Sequence, residues 1–269
     1  MEIEWVTNHT KGIQEKYLYR FIDMYKLIDF LNTYCLYFSR MDKFDDKYEG
    51  ITTYDIGEIN IWEKINVNAP NLNPRIPKNV MKQKMRQKKS TFDRIKQSQR
   101  SRQKSHYANC WYLANRESVA MWDIYSKTMG VALKFERVFL QNLIKSKRNE
   151  NNLPKHIYKL IAGKVRYQNF NVLPFTEKKK LVKYPAFRKD EAFAHEKEFR
   201  FILLADKPLF KQAGILFHLG DLKDLEFDII VHPKMEKFER QSIQSLLDKY
   251  IPDKKLKDSE LVNRFKLFD

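Results

Sequence analysis

Eight short runs of aromatic and β-branched residues, unevenly spaced, limit what this chain can fold into more than any other feature of its sequence. They are 16–21 (KYLYRF), 35–40 (CLYFSR), 106–113 (HYANCWYL), 130–135 (GVALKF), 163–167 (GKVRY), 198–204 (EFRFILL), 215–219 (ILFHL) and 227–231 (FDIIV). Each is long enough for a strand and too short for a buried helix. Helical periodicity interrupts them irregularly. Asp23 is placed to cap a helix in which Met24, Leu27, Ile28 and Leu31 recur at i, i+3, i+4 and i+7. Short helices are expected near 118–126 and 138–144, and a longer one over 235–250 puts Phe238, Ile243, Leu246, Leu247 and Tyr250 largely on one side. Strands and helices that do not alternate exclude a doubly wound parallel sheet, and no repeat of roughly 20 to 50 residues is visible. The expected class is α+β, with a mixed or antiparallel β core flanked by helices.

Charge sets the second constraint. Of 269 residues, 51 are Lys or Arg and 34 are Asp or Glu, a net charge of +17. Most of the excess lies between Arg75 and Lys104, where twelve basic residues face the single acid Asp93. Prolines 70, 74 and 77 introduce the segment, so the chain reads as one domain over 1–269 with a basic helical insert at about 70–105. Self-repulsion keeps such a segment at the surface, either as a solvated linker or as a contact for nucleic acid through Lys82, Lys84, Arg86, Lys88, Lys89, Arg94, Arg100 and Arg102. No apolar run approaches the roughly 20 residues a bilayer demands. Cys35 and Cys110 show neither metal spacing nor a paired framework, and the first residues lack a signal-peptide layout, so a cytoplasmic protein without a membrane partner is expected. None of the seven glycines falls in GxGxxG or GxxxxGK[ST], which excludes a Rossmann turn and a P-loop.

Four constellations carry chemistry. In His195-Glu196-Lys197-Glu198-Phe199-Arg200, strand alternation puts Glu196, Glu198 and Arg200 on one face and Phe199, Phe201 and Leu203 on the other. Such a row serves either acid–base work or a solvent-facing charge ladder. Arg20, alone in an aromatic strand beside Tyr19, needs a carboxylate, a phosphate or backbone carbonyls as partner; one of the acids of that row would suffice. Trp111, Trp122 and Tyr125 cluster in sequence; Tyr125 falls on a core stripe with Met121 and Ile124, while Trp122 lies off it and could stack on a ring. Asp42, Asp45, Asp46 and Glu49 form an acidic loop that could hold Mg²⁺ in a nuclease through Asp45, Asp46 and Glu49, although EF-hand spacing is missing. The six histidines show no zinc spacing, so no metal site is assigned.

Together, Leu18-Tyr19-Arg20-Phe21, Leu36-Tyr37-Phe38-Ser39-Arg40, Phe44-Asp45-Asp46, Tyr48-Glu49-Gly50, Asn109-Cys110-Trp111, Met121-Trp122, Val165-Arg166-Tyr167 and the 195–200 motif resemble bacterial domain-of-unknown-function family 2971 over residues 17–262. That family is often met near mobile elements and defence genes. The order of Arg strand, helix, Ser strand and late Glu-x-Glu strand is also similar, more distantly, to the ADP-ribosyltransferase superfamily, although no Ser-Thr-Ser run follows in the second strand. That resemblance implies a split β core and NAD as substrate. It gives Arg20 the NAD contact, Ser39 the pocket wall, Glu198 the role of catalytic acid and Glu196 that of accessory acid. Tyr19, Trp111, Trp122, Tyr125 and Arg200 would complete the cofactor site. It further implies a toxin or phage-defence effector that modifies nucleic acid or a protein bound to it, with an antitoxin or defence-system partner. The alternatives are the Mg²⁺ nuclease and a non-catalytic nucleic-acid-binding module.

Overall fold

The computed structural model describes residues 2–52, 78–127, 129–170, 184–209 and 211–265. Its first elements are β1 (Glu4–Asn8), β2 (Tyr17–Ile22), α1 (Met24–Thr33), β3 (Cys35–Arg40), α2 (Lys78–Lys104) and β4 (His106–Ala114). There follow α3 (Val119–Tyr125), β5 (Val131–Glu136), α4 (Arg137–Lys147), β6 (Ile157–Lys164), β7 (Arg166–Gln168) and β8 (Arg188–Asp190). The chain continues through β9 (Glu198–Ala205), β10 (Gly214–His218), β11 (Asp228–Val231), α5 (Lys237–Tyr250), β12 (Leu256–Lys257) and α6 (Val262–Phe265). Ten strands form one sheet with the order β1-β6-β9-β4-β2-β5-β11-β12, β3 joining β4 and β10 joining β3; β7 and β8 pair separately. Pairing is parallel at β1–β6 and β11–β12 and otherwise antiparallel in that sheet. The fold is a mixed α+β architecture, as the uneven strand spacing implies.

Local chemistry sets the elements. Asp23 accepts a hydrogen bond from the Lys26 amide at 2.9 Å to start α1, which buries Leu27, Phe30 and Leu31 and ends at Tyr34 in the left-handed region with φ 57°. In α5, Glu236 and Glu239 form a reciprocal capping box. Three boundaries depart from the sequence reading. The strand expected at 163–167 is two strands, β6 starting at Ile157 and β7 following a break at Val165. The connector expected over 178–189 ends in a 3-10 turn at Pro185–Phe187 and in β8, and β1 lies where the sequence predicts no strand. The helix and loop expected over 51–72 lie almost wholly outside the described residues.

One face of the sheet packs against α1, α4 and α5 around Leu18, Trp111, Phe135, Phe199, Phe201 and Phe227. The other carries an aromatic cluster of Tyr19, Phe21, Tyr112 and Trp122, and a second cluster of Met41, Ala108, Ile161, Phe187 and Ile202.

The sheet forks on one side of β4. β2 pairs with β4 only through Tyr17–Tyr19, and β3 pairs with it only through Ser39 and Arg40. Arg20–Ile22 and Cys35–Phe38 therefore diverge from a shared neighbour, with α1 joining them. Between them the Asn109 side chain donates to the Tyr37 carbonyl at 2.9 Å, in place of the missing ladder.

Candidate functional site

Five charged side chains from four separate segments meet beneath the β4–β9 face. Arg200 bonds Glu198 through Nε at 2.5 Å and Nη2 at 2.9 Å, donates to the Ala186 carbonyl at 2.8 Å, and lies 2.6 Å from Glu49. Lys189 lies 3.0 Å from Glu49, 2.5 Å from Glu196 and 3.0 Å from Glu198. The Tyr125 hydroxyl donates to Glu196 at 3.1 Å, and the Glu198 amide donates to the Tyr167 hydroxyl at 2.8 Å. Lys197, left-handed at φ 40°, bends the chain out of strand geometry, so β9 begins only at Glu198 and Glu196 reaches the cluster from the preceding turn.

The cluster is interior: Arg200 is 0% exposed and Glu196 and Glu198 are each 5% exposed. A solvent-facing charge ladder, the bland expectation for this row, is therefore corrected. The loop 41–52, the turn at 185–187 and β8 supply a second layer that alternation within one strand cannot reveal. Three carboxylates against two cations leave one surplus negative charge, and the electrostatics place it. Burial raises Glu196 to about 7, helped by the hydrogen bond and charge of Glu198. Burial also works to raise Glu198, but the Arg200 guanidinium beside it prevails and holds it well below the ordinary carboxylate range. Burial lowers Lys189 and Arg200, yet Glu198 and Glu49 outweigh it and both stay firmly charged. Burial, then Glu198, pushes the Cys110 thiol well up, so it is no activated nucleophile.

The register separates the residues that the transferase resemblance groups together. β4 and β9 pair Tyr112 with Glu198, Trp111 with Phe199 and Cys110 with Arg200; β2 and β4 pair Tyr19 with Tyr112. Paired residues share a face and sequence neighbours do not. Tyr19, Cys110, Glu198 and Arg200 therefore lie on one face, while Arg20 lies on the other with its guanidinium 5.8 Å from the Trp111 ring. Ser39, opposite Ala108, is on the Glu198 face. Arg20 and Glu198 do not share a cleft, and the ion pair expected between Arg20 and this row is absent among the described residues. The guanidinium bonds the Tyr37 carbonyl at 3.4 Å instead.

The aromatic expectations are corrected in the same way. Tyr19, Trp111 and Trp122 are each 1% exposed. Trp111 donates to Asn109 and packs edge-on against Phe135; Trp122 donates to Glu117 and packs edge-on against Phe21 at 4.9 Å and His232 at 5.2 Å. Withdrawing either to hold a ring would forfeit about 1.5–3 kcal/mol of burial or more, so both are core. Tyr125 alone of the three aromatics reaches the charged cluster. In the acidic loop, Glu49 is committed to Lys189 and Arg200, Asp46 accepts from the Tyr48 amide, and Asp42 pairs with Arg40. Among the described residues no group of three or more His, Cys, Asp or Glu is arranged to hold a metal ion. Sequence reasoning misses Lys189, which sits in a basic connector, and gives Tyr167 no site role although the 165–167 motif contains it.

A second feature lies at the surface. α2 is one helix of 27 residues, docked by Phe92, Ile95, Gln99 and Gln103; Gln103 Nε2 donates to the carbonyls of Glu49 at 2.7 Å and Lys47 at 3.1 Å. Arg86, Lys89, Asp93, Lys96, Arg100 and Lys104 recur at i, i+3, i+7, i+10, i+14 and i+18, a single row beside the docked stripe. The row is about 27 Å long at 1.5 Å per residue. Arg86, Lys89, Lys96 and Arg100 are exposed, and among the described residues none has a carboxylate at ion-pair distance. Of the other expected contacts, Arg94 is exposed off the row and Arg102 is half-buried toward the body; the side chains of Lys82, Lys84 and Lys88 lie outside the described residues.

Residues 121–201 match the family model described as Protein of unknown function (DUF2971), a narrower span than the 17–262 over which the resemblance is read. The matched stretch holds Tyr125, Tyr167, Lys189, Glu196, Glu198 and Arg200, and stops short of Arg20, Ser39 and α2. Comparison with curated proteins and with solved structures gives no match. No helix among the described residues is long and apolar enough to cross a membrane.

Proposed function

We propose that this is a nucleic-acid-binding protein that lays α2 along a phosphate backbone, with the buried charge cluster serving as the anchor of that helix. The observation that carries this reading is the set of exposed cations Arg86, Lys89, Lys96 and Arg100 along one row of α2, interrupted by Asp93. These four meet no carboxylate among the described residues, so they offer positive charge to a polyanion, and binding is driven by release of condensed counterions. The cluster contributes through Glu49: its carboxylate is held by Arg200 and Lys189 while its carbonyl receives Gln103 of α2. Replacing Arg86, Lys89, Lys96 and Arg100 together by Gln is expected to leave the thermal midpoint unchanged and to weaken duplex binding. The slope of log K against log salt should become shallower by about 3 to 4, at roughly 0.9 per lost phosphate contact. An unchanged slope in a fluorescence-anisotropy titration would remove the proposal.

A second reading, NAD-dependent ADP-ribosyl transfer by a toxin or defence effector, draws on one observation: Glu196 near neutrality beside an ionised Glu198 is the kind of split pair that general acid–base chemistry uses. Against it stand the separation of Arg20 from Glu198 and the state of Glu198, whose two oxygens already accept from Arg200 and Lys189 and leave little for a ribose hydroxyl. Under the first reading, incubation with labelled NAD and separate RNA, DNA and protein pools leaves all three unlabelled. Transfer of label to any pool would make the second reading the better one.

A further inference from the structure

The fork between β2 and β3 encloses a pocket of about 300 Å³ lined by Arg20, Tyr25, Asp29, Phe30, Cys35 and Tyr37, among others. Burial pushes Arg20 down to about 10, and among the described residues no carboxylate pairs with it. One of its guanidinium nitrogens, Nη1, is buried without a hydrogen-bond partner among the described residues, and the bond of Nη2 to the Tyr37 carbonyl is long at 3.4 Å. An orphaned cationic donor in a pocket wall is costly unless an acceptor arrives from outside. Tyr25 is 85% exposed and Tyr37 41% exposed, so two aromatic rings stand at the rim with faces free to stack. Tyr37 is held in place because its ring lies over Gly214, where a Cβ would come within 2.1 Å of it. Asp29, exposed in the lining, is the acceptor for hydroxyl groups; Lys26 is already paired with Asp23 at 2.7 Å.

A guanidinium with spare donors, a carboxylate and two ring faces around a cavity of this size match one ligand chemistry. We propose that the fork pocket binds a nucleoside 5′-monophosphate group, its phosphate on Arg20, its ribose hydroxyls toward Asp29 and its base against Tyr25 and Tyr37. Arg20 lies on the opposite face of the sheet from Glu198, Tyr37 reaches the pocket from the far strand of the fork, and the site does not depend on the α2 row. The group could be a free nucleotide or the 5′ end of a strand, and the probes separate the two.

Calorimetric titration with AMP, adenosine, inorganic phosphate, a 5′-phosphorylated trinucleotide and its 5′-hydroxyl counterpart tests this on the full chain. AMP or the phosphorylated trinucleotide is expected to bind; AMP alone identifies the free nucleotide, and the trinucleotide alone identifies the strand end. Adenosine, inorganic phosphate and the hydroxyl trinucleotide should bind at least about tenfold more weakly, because each lacks one half of the recognition. Arg20→Gln should cost about tenfold or more in affinity without lowering the thermal midpoint, since it removes a half-buried cation whose Nη1 has no acceptor among the described residues. Tyr25→Ala, at a side chain outside the core, should cost about fivefold. Absence of binding by both phosphorylated probes at millimolar concentration overturns the proposal, as does equal binding of adenosine. Unchanged affinity in both Arg20→Gln and Tyr25→Ala overturns it too.

Discussion

Arg200→Met is expected to destabilise the protein by about 3–5 kcal/mol, the cost of stripping one partner from a buried ion cluster. The substitution fits the space but leaves Glu198 and Glu49 facing Lys189 alone, with Glu196 close by. Two buried carboxylates would lose their nearest cation, and the Ala186 carbonyl would lose its donor. Much of the penalty is the burial of unpaired charge rather than the net worth of the bond. Arg200→Met combined with Glu198→Met should therefore recover a good part of the loss, and a double-mutant cycle by urea unfolding would show strong coupling. A single variant costing under about 1 kcal/mol would mean that water reaches the cluster and that its interior character is wrong. Glu198→Gln weakens the same buried cluster, so lost turnover in that variant does not distinguish a damaged core from a missing acid, and labelled transfer by the unaltered chain is the more informative measurement.

How far the sequence reveals this arrangement depends on which kind of information each residue carries. β2, α1 and β3 are legible because Asp23 is a cap, Leu27 and Leu31 recur at helical spacing, and the flanking runs are aromatic and β-branched. β1 is not, because Glu4–Asn8 is short, polar at both ends and an edge strand. Alternation correctly places Phe199, Phe201 and Leu203 opposite Glu198 and Arg200, since parity within a strand is a local property. Parity between strands is not. Whether Arg20 faces Glu198 or turns from it depends on the register of β2 against β4 and of β4 against β9, where a slip of one residue would reverse the answer. Nor does the polar face of β9 announce that it is covered, because its cover comes from Glu49 and Lys189, roughly 150 and 10 residues away in sequence. The basic row of α2 is the opposite case. Its charge is plain from composition, while the single-file spacing emerges only once Lys78–Lys104 is one continuous helix.

Glu196 makes stability fall with rising pH across a window where most proteins are indifferent to it. Its carboxyl lies near the ordinary value of about 4.5 in the unfolded chain and is raised to about 7 by burial and by Glu198 in the folded one. Between those values the folded state holds a proton that the unfolded state has released. Protonated Glu196 thus contributes stability fully present below pH 4.5 and lost as pH rises through 7. At about 1.4 kcal/mol per pH unit the loss over this span is on the order of 3 kcal/mol. Other groups facing Glu196 do not cancel it: Glu198 is ionised throughout, Lys189 and Arg200 stay protonated, and burial keeps the hydroxyls of Tyr125 and Tyr167 and the thiol of Cys110 neutral. Glu196→Gln carries the neutral form permanently, still able to accept from Lys189 and to meet the Tyr125 hydroxyl. Its urea midpoint should match that of the unaltered protein near pH 5 and exceed it at pH 8, the gap widening as pH rises between them. Parallel profiles for the two proteins would mean that the surplus negative charge of the cluster is neutralised elsewhere. Because Glu49 ties this cluster to Gln103, the same titration should loosen the seat of α2 at alkaline pH, and amide exchange in residues 99–104 is expected to quicken there in the unaltered protein but not in Glu196→Gln.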